Sequence, residues 1–143
     1  MIDPTLIIRK INLISGDLDE LLTLSRKSFE EYLASRVDEI LAERYLERVI
    51  GRMIDINYHL ITEAGHPPPS DYYQSFLQLG KLNVLPADLA QRIASCAGLR
   101  NRIVHEYDEI DPRKVYEGLL AAVGDIPEYL RHVHDHINRP PAG

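Results

Sequence analysis

The sequence predicts an all-α protein, an antiparallel bundle of about five helices. Apolar residues recur at spacings of three and four along most of the chain, which is the period of an amphipathic helix. β-Branched residues do not alternate with polar ones over any useful length. The helical segments are long and their connections short, which favours antiparallel neighbours. The 143 residues suit a single domain with one core, so we expect residues 1–143 to form one domain.

The first two long helices are predicted from caps and apolar stripes. The first runs from Pro4 to about Arg26, with Asp3 as its N-cap and the proline in its first turn. Its apolar stripe consists of Ile7, Ile11, Ile14, Leu18, Leu21 and Leu22. A short segment around 28–34 leads into the second helix, at about 37–64. The apolar stripe of this helix consists of Val37, Leu41, Tyr45, Val49, Met53, Ile56 and Leu60.

The end of the second helix and the third helix follow from turn residues. Gly65 is a natural helix stop, and "HPPPS" at 66–70 cannot continue a helix because proline lacks the backbone N–H. Either Ser70 or Asp71 caps a third, short helix that ends near Gly80.

Prolines also mark the last two helices. A fourth helix is predicted at about 86–107 and a fifth at about 112–136. Between them "DEIDP" breaks the chain, with Asp111 as the cap of the fifth helix and Pro112 in its first turn. The proline-flanked end "NRPPAG", residues 138–143, is predicted to be a frayed tail.

Charge and composition limit the classes of function. The net charge of −6 and the pI of about 5.5 argue against a broad, non-specific nucleic-acid surface. A local basic cleft remains open, because a phosphate feels only charges within about 8–10 Å. No apolar run approaches the roughly 18 residues of a membrane span, and "MIDPTLIIRK" lacks the features of a secretory signal. We therefore expect a cytoplasmic protein with no membrane partner and no DNA partner.

Two charged patterns allow a functional and a structural interpretation. The acidic residues of "SGDLDEL" and "RVDEILAER" fit metal ligands or acid–base pairs, but we interpret them as solvated helix faces. These residues are Asp17, Asp19, Glu20, Asp38, Glu39 and Glu43. The row Arg44, Arg48 and Arg52 fits a phosphate-tracking stripe or a solvent face balanced by nearby carboxylates. We favour the solvent face.

Metal, cofactor and nucleophile signals are weak. His132 and His136 have the i, i+4 spacing of a helical metal pair, but no third ligand is evident, so no metal is expected. Cys96 is the only cysteine, which rules out an internal disulfide and a paired-cysteine metal site. Ser95 beside it has no local base, and no glycine-rich phosphate loop is present. We expect no cofactor.

The stretch "LRNRIVHEY", residues 99–107, concentrates the chemistry of the chain. Arg100, His105 and Tyr107 form the pattern R-x4-H-x-Y. One interpretation is a helix end, where Arg and His favour the helix dipole and Tyr packs on the next helix. The other is RNA cleavage without a metal, which needs a base for the 2′-OH, an acid for the leaving 5′-oxygen and a cation for the phosphorane. The residues alone leave both open.

Helical geometry restricts the catalytic interpretation. On an ideal helix Arg100 and Tyr107 share a face, whereas His105 lies about 140° from Arg100. Convergence therefore requires the helix to loosen near its end or a second chain to contribute. One chain also offers one such histidine, whereas two proton transfers favour two. A symmetric dimer would supply both.

"LRNRIVHEY" resembles the signature of the HEPN superfamily, in particular of the HepT-like (DUF86) toxins. That signature is R-x4-6-H with a polar residue directly after the arginine, here Asn101, and an H-x-Y extension. Residues 47–111 resemble the family core throughout, while the first and last helices fit by length and position only. The resemblance implies an HEPN-like helical bundle that forms a homodimer, with the R-x4-6-H segments of both chains lining one cleft.

The same resemblance implies a specific function. HepT-like proteins are metal-independent endoribonucleases and toxins of type VII-like toxin–antitoxin pairs. Their partner is a small MNT-type nucleotidyltransferase antitoxin, which would transfer AMP from ATP to Tyr107 and so repel the RNA. Arg100 and His105 carry over as the catalytic pair, and Asn101 as the polar residue after the arginine. Arg102 lies outside the pattern, and we expect it to hold RNA phosphate. Among cellular RNAs, tRNA is favoured over mRNA.

Two alternatives remain at this point. The chain could be a non-catalytic helical accessory subunit that binds a nucleotidyltransferase or a nucleotide, which RNA cleavage lost in His105→Ala would exclude. It could also be a purely structural helical dimer in which His105 and Tyr107 are packing residues. Burial of both side chains away from any cleft would support that second alternative.

Overall fold

The computed structural model describes residues 3–139, which form a bundle of seven helices without a strand. The helices are α1 Pro4–Ser25, α2 Phe29–Ala34, α3 Arg36–Glu63, α4 Tyr72–Lys81, α5 Ala87–Ile93, α6 Ser95–His105 and α7 Pro112–Ile137. The predicted all-α class is confirmed. Helix α3 is the centre of the bundle, because it packs against α1, α2, α4, α6 and α7. None of these helices is long and apolar enough to cross a membrane.

Three aspartates cap helices where the sequence predicts a start. Asp3 accepts a hydrogen bond from the N–H of Thr5 at 3.0 Å and begins α1. Asp71, rather than Ser70, begins α4, and its carboxylate accepts from the N–H of Gln74 at 2.8 Å. Asp111 begins α7 in the same way. Each carboxylate satisfies a backbone donor that the first helical turn leaves free.

The segment around 28–34 is a helix in its own right, which the prediction treated as a connection. Ser28 and Glu31 form a reciprocal capping box, with side-chain to backbone distances of 3.1 and 3.0 Å. The buried ring of Tyr32 fixes this helix to the core. Six residues are too few to show a helical period, so only the cap could have indicated α2.

The predicted fourth helix at 86–107 is two helices. The chain breaks at Ala94, whose carbonyl accepts from the N–H of Ala97 at 3.1 Å instead of from a residue four positions on. The hydroxyl of Ser95 also donates to the carbonyl of Arg92 at 2.9 Å and competes with the helical pattern. At the other end α6 stops at His105, so Tyr107 lies outside the helix.

The predicted apolar stripe of α3 is correct only in its second half. Val37 is 65% exposed and Leu41 is 38% exposed. The buried positions of the first half are Asp38, Ala42 and Leu46. A strict spacing of four drifts by about 40° per step from the helical period, so the stripe leaves the core when it is traced back from Val49. In α1 the same drift buries Leu24 in place of Leu22.

The ends of α3 and α7 can be compared with the sequence prediction. Gly65 directly follows α3 with a φ of +88°, a conformation that glycine adopts without strain, as predicted. Helix α7 reaches Ile137, and Asn138 follows as its C-cap. The rest of the predicted tail, residues 140–143, lies outside the described residues.

Candidate functional site

Arg100 lies in an open cleft between α3, α4 and α6, which we call the Arg100 cleft. Its guanidinium carbon Cζ is 5.4 Å from the centre of the Tyr72 ring. Its Nε is buried and has no hydrogen-bond partner within residues 3–139. The cleft has a volume of about 450 Å³. Its other polar and aromatic lining residues are Glu47, Arg48, Arg52, Asp55, Tyr58 and Tyr72. In the described part of the chain, Arg100 thus has a hydrogen-bond donor without a partner beside the cleft.

Two more arginines of the cleft share one carboxylate. The Nε of Arg48 and the Nη1 of Arg52 contact the same Oδ2 atom of Asp17, at 3.1 and 2.8 Å. One negative charge is therefore shared by two positive charges, so Asp17 does not neutralise both guanidinium groups. Arg44 does not line the cleft, and it pairs with the cleft residue Glu47 at 3.5 Å. The predicted solvent face is thus wrong for Arg48 and Arg52.

The prediction that the acidic residues are solvated also fails at two positions. Asp17 and Asp38 are both buried, at 8% exposure each. Asp17 bridges α1 to the arginines of α3, and Asp38 accepts a hydrogen bond from the ammonium of Lys27. Buried carboxylates need such partners because desolvation is otherwise costly. Both residues hold helices together instead of coating a surface.

A chain of hydrogen bonds fixes Tyr72 at the edge of the Arg100 cleft. The buried hydroxyl of Tyr129 donates to Oδ1 of Asn57 at 2.6 Å. The amide of Asn57 donates to the hydroxyl of Ser75 at 3.0 Å, and that hydroxyl donates to the carbonyl of Tyr72 at 2.6 Å. The chain connects α7 through α3 to the first turn of α4. Sequence reasoning missed it, although an asparagine next to the apolar stripe of α3 was a signal.

His105 and Tyr107 do not reach the Arg100 cleft of their own chain. His105 ends α6 with an exposed side chain. Tyr107 is 68% exposed and lines a separate groove of about 370 Å³ with Arg36, Ile40 and others, which we call the Tyr107 groove. The two lining sets have no residue in common. The helix does loosen at its end, but this does not bring the three motif side chains together.

The remaining motif positions face other surfaces. Asn101 is exposed on α6. Arg102 lines a third groove together with Lys114 and Glu117, away from the lining of the Arg100 cleft. The exposure of His105 and Tyr107 does not fit the interpretation in which both are packing residues.

The titratable groups near these grooves differ in their environment. Burial raises the pKa of Glu43 in the Tyr107 groove, and the charge of Glu39 raises it further. Burial likewise raises the pKa of Tyr58 in the Arg100 cleft. Burial raises the pKa of the Cys96 thiol to about 12, so this side chain does not offer a thiolate nucleophile. No three histidine, cysteine or carboxylate side chains within residues 3–139 are grouped so as to hold a metal ion.

Comparison with known proteins assigns the family. The model of a family described as "Ribonuclease HepT-like" matches residues 14–133. The chain belongs to this HepT-like family of ribonucleases. The resemblance carried by "LRNRIVHEY" is thereby confirmed. A tRNA nuclease HepT from Aphanizomenon flos-aquae (strain 2012/KM1/D3) is 35% identical over 136 residues, which are 95% of this HepT-like chain and 92% of the relative. A putative RNase of Archaeoglobus fulgidus is 27% identical over 82 residues, 57% of this chain and 61% of that one.

Solved structures share the fold of this HepT-like chain. A tri-AMPylated HEPN toxin from Shewanella oneidensis, in complex with an MNT antitoxin, has a TM-score of 0.80 and 22% identity over 93% of this chain and 98% of that one. A toxin–antitoxin structure with AMP-PNP has a TM-score of 0.77 and 21% identity, over 93% of this chain and 99% of that one. At this identity the likeness establishes the HEPN-type helical fold.

Proposed function

We propose that this HepT-like protein is a metal-independent endoribonuclease toxin whose active cleft forms between two copies of the chain. The observation that carries the proposal is Arg100, whose buried Nε has no partner among the described residues beside an open cleft. A planar, permanently charged guanidinium suits the charge that develops on phosphorane oxygens. His105, five residues later, is exposed, and histidine is the side chain that most often acts as a general acid or base in enzymes.

The proposed reaction is an internal transfer at one phosphate. One His105 imidazole takes the proton of the 2′-hydroxyl, whose oxygen then bonds to phosphorus. The bond from phosphorus to the 5′-oxygen breaks, and a second, protonated imidazole gives that oxygen its proton. Arg100 stabilises the charge of the intermediate phosphorane. Because the nucleophile is the 2′-hydroxyl, DNA is not a substrate.

A homodimer supplies what one chain lacks. Within one chain Arg100 and Tyr107 line different grooves, and there is a single His105 in the motif. A twofold axis near the end of α6 would bring two arginines and two histidines to one cleft. Asn101 and Arg102 would then support RNA bound across the two copies, and Arg102 would contact phosphate.

We propose tRNA as the substrate. The relative at 35% identity, which the chain matches over nearly its whole length, is named a tRNA nuclease. Messenger RNA is the less favoured substrate. We propose that the activity is cytoplasmic, because tRNA is used there.

We further propose that an MNT-type nucleotidyltransferase antitoxin silences the enzyme by AMPylation of Tyr107. Complexes of HEPN toxins with MNT antitoxins are among the proteins of the same fold, and one of those toxins is tri-AMPylated. Tyr107 is 68% exposed, so its hydroxyl is open to a partner. Its oxygen would bond to the α-phosphorus of ATP, release pyrophosphate and give its proton to solvent. The added charge would repel RNA phosphate.

One observation favours a second candidate, a non-catalytic subunit that presents a nucleotide to its partner. The Tyr107 groove is separate from the Arg100 cleft, and nucleotide binding there would need no catalytic arginine. RNA cleavage by the purified protein separates the two candidates.

The test is cleavage of purified total tRNA and of an mRNA transcript by wild type, His105→Ala and His66→Ala. His66 is an exposed histidine on the loop after α3 and serves as the matched control. We expect wild type and His66→Ala to cleave tRNA, and His105→Ala to leave it intact with unchanged helical circular dichroism. Cleavage by His105→Ala at the wild-type rate would overturn the proposed function.

A further inference from the structure

We propose that the Arg100 cleft binds one unpaired nucleotide of the RNA, with its base against Tyr72 and its phosphate on Arg48 and Arg52. This inference rests on the proposed function and adds a substrate feature to it. The nuclease would select sites where a base next to the cut is free to leave the stack.

The aromatic side of the cleft suits a nucleobase. Tyr72 is 38% exposed, and Tyr58 meets its ring edge-on, with ring centres 6.2 Å apart and planes at 84°. The guanidinium of Arg100 lies 5.4 Å from the same ring. Unstacked bases bind to aromatic rings and to guanidinium planes. The hydrogen bonds that start at Tyr129 hold the first turn of α4, so Tyr72 is in place before RNA arrives.

The opposite side of the cleft suits a phosphate. Arg48 and Arg52 keep free N–H donors, because each contacts Asp17 through one nitrogen and a guanidinium carries five N–H groups. The two carboxylates of the lining are already paired: Glu47 with Arg44 at 3.5 Å, and Asp55 with Lys10 at 3.4 Å. A phosphate that enters the cleft can therefore bind the free N–H groups of the arginines, whereas both carboxylates already have a cationic partner.

The size of the cleft favours a single nucleotide. Its volume of about 450 Å³ lies in the lower part of the range of small-molecule binding sites, which is roughly 300–1,000 Å³. A base inside an A-form helix is covered on both faces by its neighbours and cannot reach Tyr72. Loops, bulges and single-stranded ends can supply such a base. The cleft thus explains how an acidic protein would choose particular positions in a folded RNA.

The first experiment compares Tyr72→Leu with Tyr73→Leu. The two tyrosines are adjacent on α4 and similarly exposed, at 38% and 43%, but Tyr73 lines a different groove with Leu77 and Lys81. With total tRNA as substrate, we expect Tyr72→Leu to raise KM by about tenfold with little change in kcat. Tyr73→Leu should behave as wild type.

A second pair of variants tests the phosphate side and does not depend on α4. Arg48→Gln removes a guanidinium of the cleft, whereas Arg131→Gln removes an exposed one on α7 that does not line the cleft. Removing one phosphate contact lowers the slope of log affinity against log salt by about one unit. We expect this change for Arg48→Gln and not for Arg131→Gln, with tRNA binding measured in a His105→Ala background.

The decisive experiment removes the base instead of the tyrosine. A short single-stranded RNA that spans the mapped cut is made with one abasic nucleotide at each position in turn. At one position the abasic nucleotide should raise the KM of the wild-type protein as much as Tyr72→Leu raises it for the intact RNA. With that abasic RNA as substrate, Tyr72→Leu should cause no further increase in KM. If no position is coupled to Tyr72, or if Tyr72→Leu and Tyr73→Leu have equal KM values, the inference is wrong.

Two other outcomes separate this inference from the proposed function. A wild-type protein that cleaves no RNA overturns the proposed function and the inference with it. A wild-type protein that cleaves RNA, with a Tyr72→Leu variant that has normal KM but is AMPylated slowly, overturns the inference alone. That result would assign the cleft to the nucleotide that the antitoxin transfers.

Discussion

Arg100 and Tyr107 are seven residues apart in the chain, yet they line different grooves of the folded protein. The reason is that α6 ends at His105, and the turn after it carries Tyr107 towards the N-terminal part of α3. A modification of Tyr107 therefore does not fill the Arg100 cleft of its own chain. AMP on Tyr107 would block RNA only if dimerisation brings the Tyr107 groove of one chain next to the Arg100 cleft of the other.

Tyr107→Phe should separate regulation from catalysis. The variant keeps the ring but lacks the hydroxyl that would accept AMP, so it should cleave RNA at the wild-type rate. When it is expressed with the antitoxin, its intact mass should show no gain of AMP units. Tyr73→Phe, which keeps Tyr107, is the control and should gain mass on the peptide that covers residues 100–113. A normal mass gain in Tyr107→Phe would refute the assignment of the modified residue.

Arg100→Lys should lose activity although it keeps the positive charge. A lysine ammonium cannot form the paired, planar hydrogen bonds of a guanidinium to phosphate oxygens. We expect kcat for RNA cleavage to fall by about a hundredfold, with the fold retained. Arg44→Lys, which keeps the positive charge beside Glu47 and does not line the cleft, is the control for the exchange itself. Equal kcat values for Arg100→Lys and wild type would argue against transition-state stabilisation by this residue.

Asp17→Asn should weaken the fold and strengthen RNA binding. The change removes the carboxylate that Arg48 and Arg52 share. Unfolding by urea should show a loss of about 2 kcal/mol, because a partly buried pair is broken from one side. The two released arginines should bind phosphate more tightly, measured with tRNA in a His105→Ala background. Weaker binding would mean that the aspartate orients the arginines instead of competing with RNA.

Asn57→Ala should destabilise the protein and disturb the cleft together. The amide joins Tyr129 to Ser75, and its loss removes the donor to the Ser75 hydroxyl and leaves the Tyr129 hydroxyl with only the carbonyl of Met53, at 3.1 Å. We expect a decrease of about 3 kcal/mol in the free energy of unfolding. Asn12→Ala, at an exposed position of α1, is the matched control. If stability falls but the KM for RNA does not rise, the hydrogen-bond chain does not position Tyr72.

The sequence predicts local features of this fold better than distant ones. The caps at Asp3 and Asp111 and the stop at Gly65 depend on a few neighbouring residues and are correct, and Asp71 is the one observed of the two caps offered for α4. Helix α2 was missed because its six residues are too few to show a helical period. The break at Ala94 was missed because a single residue hardly disturbs the apolar pattern of the helices on either side.

The part of the candidate site that lies in one motif could be predicted, and the rest could not. Arg100, His105 and Tyr107 stand out as a pattern in one short stretch. The cleft around Arg100 combines Asp17, Arg52 and Tyr72, which come from three other regions of the chain. Which face of α3 meets α1 is a matter of packing, and a row of arginines at helical spacing looks the same on a solvent face and in a cleft.

The most direct test of the account is the chemistry of the RNA ends that purified wild-type protein leaves in the presence of EDTA. Attack by the 2′-hydroxyl, promoted by His105 and Arg100, predicts cleavage without metal, with 2′,3′-cyclic phosphate and 5′-hydroxyl ends. His105→Ala should leave the same tRNA intact. Loss of wild-type cleavage in EDTA, or products with 3′-hydroxyl and 5′-phosphate ends, would contradict the account, because water activated by a metal would then be the nucleophile.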